Sequence, residues 1–133
     1  MTKTPRYWRE NQSRYNMIGA KCANCGKCYF PYRTMCPDCG RKSIGKMDEF
    51  KFSGAGAVFS TTVVYEAHEQ YDMMKPYILA LIDLDEGARI LGQVLDAEPE
   101  DIKIGTRVRS VFRKLGEDGK AGTIYYGYKF VRE

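Results

Sequence analysis

Cys22-Ala23-Asn24-Cys25-Gly26 and Cys36-Pro37-Asp38-Cys39-Gly40 are two copies of one motif, C-x-x-C-G, with ten residues between Cys25 and Cys36. Each copy is a tight turn that aims backbone N–H groups at its first sulfur and favours the thiolate. The glycine after the second cysteine suits a left-handed backbone that a Cβ would strain. A tetrahedral metal ion needs four soft or borderline donors about 2.0–2.3 Å away, and two such turns supply them as rigid pairs. Five cysteines are present. Cys28 is followed by Tyr29 rather than glycine, so the four selected as ligands are Cys22, Cys25, Cys36 and Cys39, and Cys28 is left as a free thiol on the first hairpin. Structural zinc is the expected metal, with a single iron ion as the alternative. Four protein ligands leave no open coordination position, so the metal is expected to fold about 20 residues that have little core of their own rather than to catalyse.

Downstream of the ribbon the texture changes to strand-like runs separated by turn residues: 57–65, 77–84, 89–95, 107–113 and 123–131. Asp85-Glu86-Gly87 and Gly116–Lys120 read as hairpin turns, and Pro99–Ile102 as a single helical turn. The polar segment Glu66–Pro76, with Met73-Met74, reads as a mobile loop. Five strands, taken as antiparallel, with glycine-marked bends predict a small closed barrel of the OB type. Upstream, residues 4–18 read as a helix, with Thr4 as N-cap and Pro5 at the first helical position; Tyr7, Trp8, Tyr15 and Ile18 fall on one face. The expected fold is mostly β: an N-terminal helix (1–20), a zinc ribbon (21–48) and a five-stranded OB-fold barrel (49–133).

Composition bounds the function. The chain has 133 residues, 21 Lys+Arg against 17 Asp+Glu, and a formal net charge of +4. Four thiolates holding one divalent zinc would bring this to about +2, a weak basic excess for a nucleic-acid binder. An odd cysteine count without an apolar leader argues against a disulfide framework. No apolar run approaches the roughly 20 residues needed to span a bilayer, so no membrane role is expected and the location expected by default is the cytoplasm. No motif of nucleophilic or nucleotide-binding chemistry is present; Gly54-Ala55-Gly56 lacks the third glycine and precedes a strand, and the single histidine, His68, falls in the polar loop. Catalytic residues are therefore not expected.

Two surfaces remain as binding candidates. Arg107, Arg109 and Arg113 alternate along one strand and share a face; they are placed to meet phosphates or an acidic partner, or simply water. Tyr7 and Trp8 on the helix, with Tyr29, Phe30 and Tyr32 on a ribbon that has few internal places for them, predict an exposed aromatic patch of the kind that marks a partner site.

The ordered set of motifs resembles the zinc-ribbon/OB-fold family long labelled a domain of unknown function and described as acyl-CoA-associated. The matching pieces are Tyr7-Trp8-Arg9-Glu10, the two C-x-x-C-G knuckles with Phe30-Pro31-Tyr32-Arg33 between them, Gly54–Ser60, Pro76-Tyr77 to Gly87, and Ile104-Gly105-Thr106-Arg107-Val108. The resemblance implies a rubredoxin-like ribbon, a non-catalytic role and a hetero-oligomer with thiolase-superfamily enzymes. For a compact single-chain version it implies an archaeal partner of acetoacetyl-CoA thiolase and hydroxymethylglutaryl-CoA synthase in the mevalonate pathway, with coenzyme A as a contact within such a complex. A nucleic-acid-binding ribbon/barrel module is the competing expectation, because both folds bind nucleic acid elsewhere.

Overall fold

The computed structural model describes residues 4–133, apart from the side chains of Thr4 and Gln70, so the cap expected at Thr4 lies outside the described residues. Helix α1 spans Thr4–Asn16. It stops two residues earlier than its periodicity predicts. Met17 takes φ +53°, a left-handed conformation that no helix continues through, and its side chain is buried in the barrel core. Ile18 therefore opens strand β1 (Ile18–Cys22) and pairs with Lys51 instead of sharing a helical face with Tyr15.

With β2 (Cys28–Tyr29) and β3 (Met47–Lys51), β1 forms a three-stranded antiparallel ribbon in the order β2-β1-β3. Its own buried core is small: Ala20, Cys22, Cys36 and Met47. This matches the expectation that something other than apolar burial holds it.

The barrel is built from β4 (Ala55–Val64), β5 (Tyr77–Leu84), β6 (Arg89–Leu95), β7 (Arg107–Glu117) and β8 (Ile124–Arg132), closed in the order β4-β5-β6-β8-β7. Strict alternation sets the inside. On β5, Ile78, Ala80, Ile82 and Leu84 are buried between half-exposed neighbours, and on β6 Ile90, Gly92 and Val94 are buried between exposed or half-exposed ones. Phe52, Val58, Ile102, Val108 and Phe130 complete the core. The expected all-antiparallel arrangement is corrected at one seam. Strands in a closed ring of five cannot alternate direction all the way round, so one pair must run parallel. That pair is β6 and β8, joined at Val94↔Phe130 and Leu95↔Val131. The segment after β4 is not shapeless: Glu69–Met74 forms a short 3-10 helix with Tyr71 packed against Tyr77. Another 3-10 turn, Pro99–Asp101, lies where one helical turn is predicted.

Ribbon and barrel share apolar packing. Phe30, between the knuckles, meets Phe52 and Tyr128 edge-on at centroid separations of 5.8 and 5.4 Å. At the junction, the Ser53 backbone N–H donates to the Glu86 carboxylate (2.6 Å), tying the connection between ribbon and barrel to the β5–β6 turn. Helix α1 lies against β8 through Tyr7 on Tyr125 (4.2 Å), and reaches β7 through Tyr15, edge-on to Phe112 (5.0 Å). No helix among the described residues is long and apolar enough to cross a membrane.

Candidate metal centre and docking surface

The two knuckles converge as their spacing predicts. The Sγ atoms of Cys22, Cys25, Cys36 and Cys39 all lie within 4.8 Å of one another, with Cys25 and Cys36 at 3.6 Å. Sulfurs around a tetrahedral zinc at a Zn–S distance of about 2.3 Å sit roughly 3.8 Å apart, so the cluster has the dimensions of such a site. Gly26 (φ +76°) and Gly40 (φ +54°) both adopt the left-handed backbone and donate their N–H groups to the carbonyls of Cys22 (2.7 Å) and Cys36 (2.9 Å), closing each turn. Cys28 is outside the cluster. It lies on β2, half-buried against the barrel core.

The electrostatics ask for a cation. The Tyr29 hydroxyl, 3.2 Å from the Cys36 sulfur, together with backbone N–H groups of Cys39 and Asp38, brings the Cys36 thiol down to about 6. A backbone hydrogen bond from Lys27 favours the Cys25 thiolate. Desolvation and the neighbouring thiols outweigh it and push Cys25 up to about 12. Four sulfurs this close cannot all ionise unless a positive ion sits among them.

Three supporting groups carry no signal in the sequence strong enough to single them out. Asn24 donates its amide to Cys39 Sγ at 3.1 Å. Ser43, fully buried, accepts from the Cys36 backbone N–H (2.8 Å) and donates to the Gly40 carbonyl (2.6 Å), fixing the second knuckle. Lys27 and Asp38 pair across the two knuckles. Only Asn24 and Asp38, placed inside the first and second motifs, have positions that hint at a role. Ser43 becomes visible only once the turn is built.

The aromatic candidates divide. Trp8 is 75% exposed and Tyr32 is 41% exposed, its hydroxyl donating to the Met47 carbonyl (3.1 Å). Tyr7, Tyr29 and Phe30 do find internal partners: Tyr125, the Cys36 sulfur, and the barrel aromatics respectively. The expectation that the ribbon aromatics have few internal places to go is corrected for Tyr29 and Phe30. It treated the ribbon in isolation, whereas Phe30 packs against residues of the barrel core. What remains at the surface is Tyr32 and, most exposed, Trp8, on a helix braced by the Tyr7–Tyr125 stack and by the Arg14 guanidinium 4.5 Å over the Tyr7 ring.

The arginine row is also thinned. Arg107 is engaged bidentately by Asp85 (2.6 and 2.8 Å) and approached by Glu133 (3.5 Å), which raises its pKa further and lowers that of Asp85. Arg109 and Arg113 are exposed and have no carboxylate partner among the described residues. His68 is exposed on its loop.

Comparison with known proteins places the two parts of the chain in one family. Residues 14–45 match the model of the ChsH2 rubredoxin-like zinc ribbon domain, and residues 51–113 that of the ChsH2 C-terminal OB-fold domain. A DUF35 domain-containing scaffold protein of Methanocaldococcus jannaschii is 49% identical over 94% of this chain and 87% of its own length. The protein of the same description from Methanothermobacter thermautotrophicus is 45% identical over 98% of this chain and 96% of its own. Among solved structures, the chain is similar to one described as an Ltp2-ChsH2(DUF35) aldolase, with a TM-score of 0.70, 25% identity, and coverage of 99% of this chain and 96% of that one. A rubredoxin-like zinc ribbon joined to a five-stranded OB-fold barrel, with relatives this similar over nearly its whole length, makes the chain a member of the DUF35 domain-containing scaffold protein family.

Proposed function

We propose that the chain is a non-catalytic scaffold subunit that works in the cytoplasm. It docks thiolase-superfamily enzymes in a hetero-oligomer and couples acetoacetyl-CoA thiolase to hydroxymethylglutaryl-CoA synthase. The uphill thiolase condensation is then drained by the synthase in the mevalonate pathway. Cys22, Cys25, Cys36 and Cys39 hold one structural zinc, which keeps the ribbon folded and takes no part in chemistry, since all four positions around it are taken by protein.

The observation that carries this reading is Trp8. A tryptophan 75% exposed, on a helix that packs against the barrel through Tyr7 and Tyr125, is the kind of side chain that dominates protein–protein interfaces. The description of the archaeal relatives as scaffold proteins, and of a similar structure as an Ltp2-ChsH2(DUF35) aldolase, points the same way. The paired Arg107 and the weak net charge count against a nucleic-acid role, which needs a free basic stripe. Arg109 and Arg113 remain as contacts for coenzyme A phosphates or an acidic partner surface.

The test is an affinity pull-down of the tagged, zinc-loaded chain from native cytoplasm, with identification of what co-purifies. A thiolase and a synthase are expected in defined stoichiometry. Nucleic acid with ribosomal or transcription proteins in their place would overturn the proposal.

A further inference from the structure

The parallel seam of the barrel is incomplete. β6 and β8 share only the two rungs Val94↔Phe130 and Leu95↔Val131. In register, the next three rungs would join Gln93 to Lys129, Gly92 to Tyr128 and Leu91 to Gly127. They are not formed. Those six residues instead line a cleft of about 880 Å³, walled on the far side by helix α1 and the Phe30–Tyr32 segment. That volume is within the range of ligand-binding clefts. Unformed rungs leave strand edges that pair readily with an added extended chain.

The cleft also has an unmet electrostatic need. Lys129 is only 5% exposed, yet it has no carboxylate partner among the described residues. Its ammonium meets the thioether of Met74 at 3.7 Å, which the Gln93 amide also approaches at 4.0 Å. A thioether is a poor substitute for water or a carboxylate around a buried ammonium. Burial and the nearby Arg113 depress the Lys129 pKa accordingly. At the rim, Arg6 and Arg14 share the single carboxylate of Glu10, and Arg9 has none among the described residues. Cations outnumber Glu10 and Glu49 around the cleft.

We propose that this cleft receives an extended acidic segment of a partner protein, which pairs with the open rungs of β6 or β8 and sets a carboxylate against Lys129. The proposal deepens the scaffold reading, on which it rests, by giving the chain a second, strand-mediated contact separate from Trp8.

The experiment uses the purified, zinc-loaded full chain and two fluorescein-labelled probes: an alternating glutamate–valine hexapeptide and its glutamine–valine counterpart. Fluorescence anisotropy should show the glutamate peptide binding at least tenfold more tightly than the glutamine peptide. Lys129→Met should remove that preference, while Arg107→Gln, outside the cleft, should keep it. Amide exchange should slow at Leu91–Gln93 or Gly127–Lys129 when the glutamate peptide binds. Equal binding of the two peptides to the parent chain would overturn the proposal, and so would protection confined to other segments. Equal affinity of a folded Lys129→Met variant for the glutamate peptide would do the same. If that variant does not fold, the two-peptide comparison on the parent chain still decides. Because only the purified chain and the probes are used, a negative result leaves enzyme docking through Trp8 untouched, and failed co-purification leaves this measurement readable.

Discussion

Phe30→Ala tests whether ribbon and barrel share one core. Truncating a fully buried phenylalanine costs about 3–5 kcal/mol. Phe30 is half-buried, but it makes two edge-to-face contacts, with Phe52 at 5.8 Å and Tyr128 at 5.4 Å. Pairs of this kind contribute about 0.5–1.5 kcal/mol each beyond area burial. Half of the buried value, raised by part of the aromatic contribution, gives a loss of about 2–3 kcal/mol. In a chain of this length each kcal/mol lowers Tm by roughly 3–5 °C, so a drop of roughly 6–15 °C is expected. The assay is thermal and urea unfolding of the zinc-loaded protein, followed at the barrel by far-ultraviolet circular dichroism. Trp8→Ala is the control. Its side chain is 75% exposed, so it should move stability by no more than about 0.5 kcal/mol. If Phe30→Ala is as mild as Trp8→Ala, the ribbon is an independent appendage and the shared-core account fails.

Cys22→Ser or Cys39→Ser should abolish the metal content and disorder the ribbon, whereas Cys28→Ser should retain both, because Cys28 lies on β2 outside the four-sulfur cluster; metal analysis of the three purified variants checks this. Glu10 is held below its ordinary pKa by hydrogen bonds from Arg6 and then Arg14. A depressed carboxyl contributes stability that is present above its unfolded pKa and lost as pH falls through the folded one. The stability difference between the parent and Glu10→Gln should therefore be present at pH 7, at roughly 0.2–1 kcal/mol for surface pairs, and vanish on acidification below the carboxylate range. Comparing the two proteins cancels any acid-driven metal loss. A difference that grows on acidification would contradict the assignment.

Much of the site was legible because it is local. Each C-x-x-C-G knuckle encodes its own turn, and Gly26 and Gly40 take the backbone their positions require. The inward sides of β5 and β6 were equally plain, since alternation in sequence maps directly onto alternation in space. What the sequence concealed depends on distant parts of the chain. Phe30 looked homeless because its partners, Phe52 and Tyr128, are 22 and 98 residues further on. Arg107 looked free because Asp85 meets it only when the barrel closes. The end of α1 was missed because helical spacing continues through Met17 to Ile18, whereas burial of Met17 in the barrel core turns the backbone there. The parallel seam needed no residue at all, only the parity of a five-membered ring. Core sharing also bears on how docking is best tested. Trimming the chain to the barrel alone would remove Met17 and Phe30, which pack in or against the barrel core, so a point substitution on the intact chain is the cleaner probe.

That substitution is Trp8→Ala. Titration calorimetry of the zinc-loaded chain against the thiolase proposed as its partner measures the central claim most directly. Loss of a tryptophan anchor at an interface costs about 2 kcal/mol or more, so the variant should bind roughly 30-fold more weakly or worse while its Tm stays within a few degrees of the parent. Unchanged affinity in a folded Trp8→Ala variant would contradict the account and move the docking surface off helix α1.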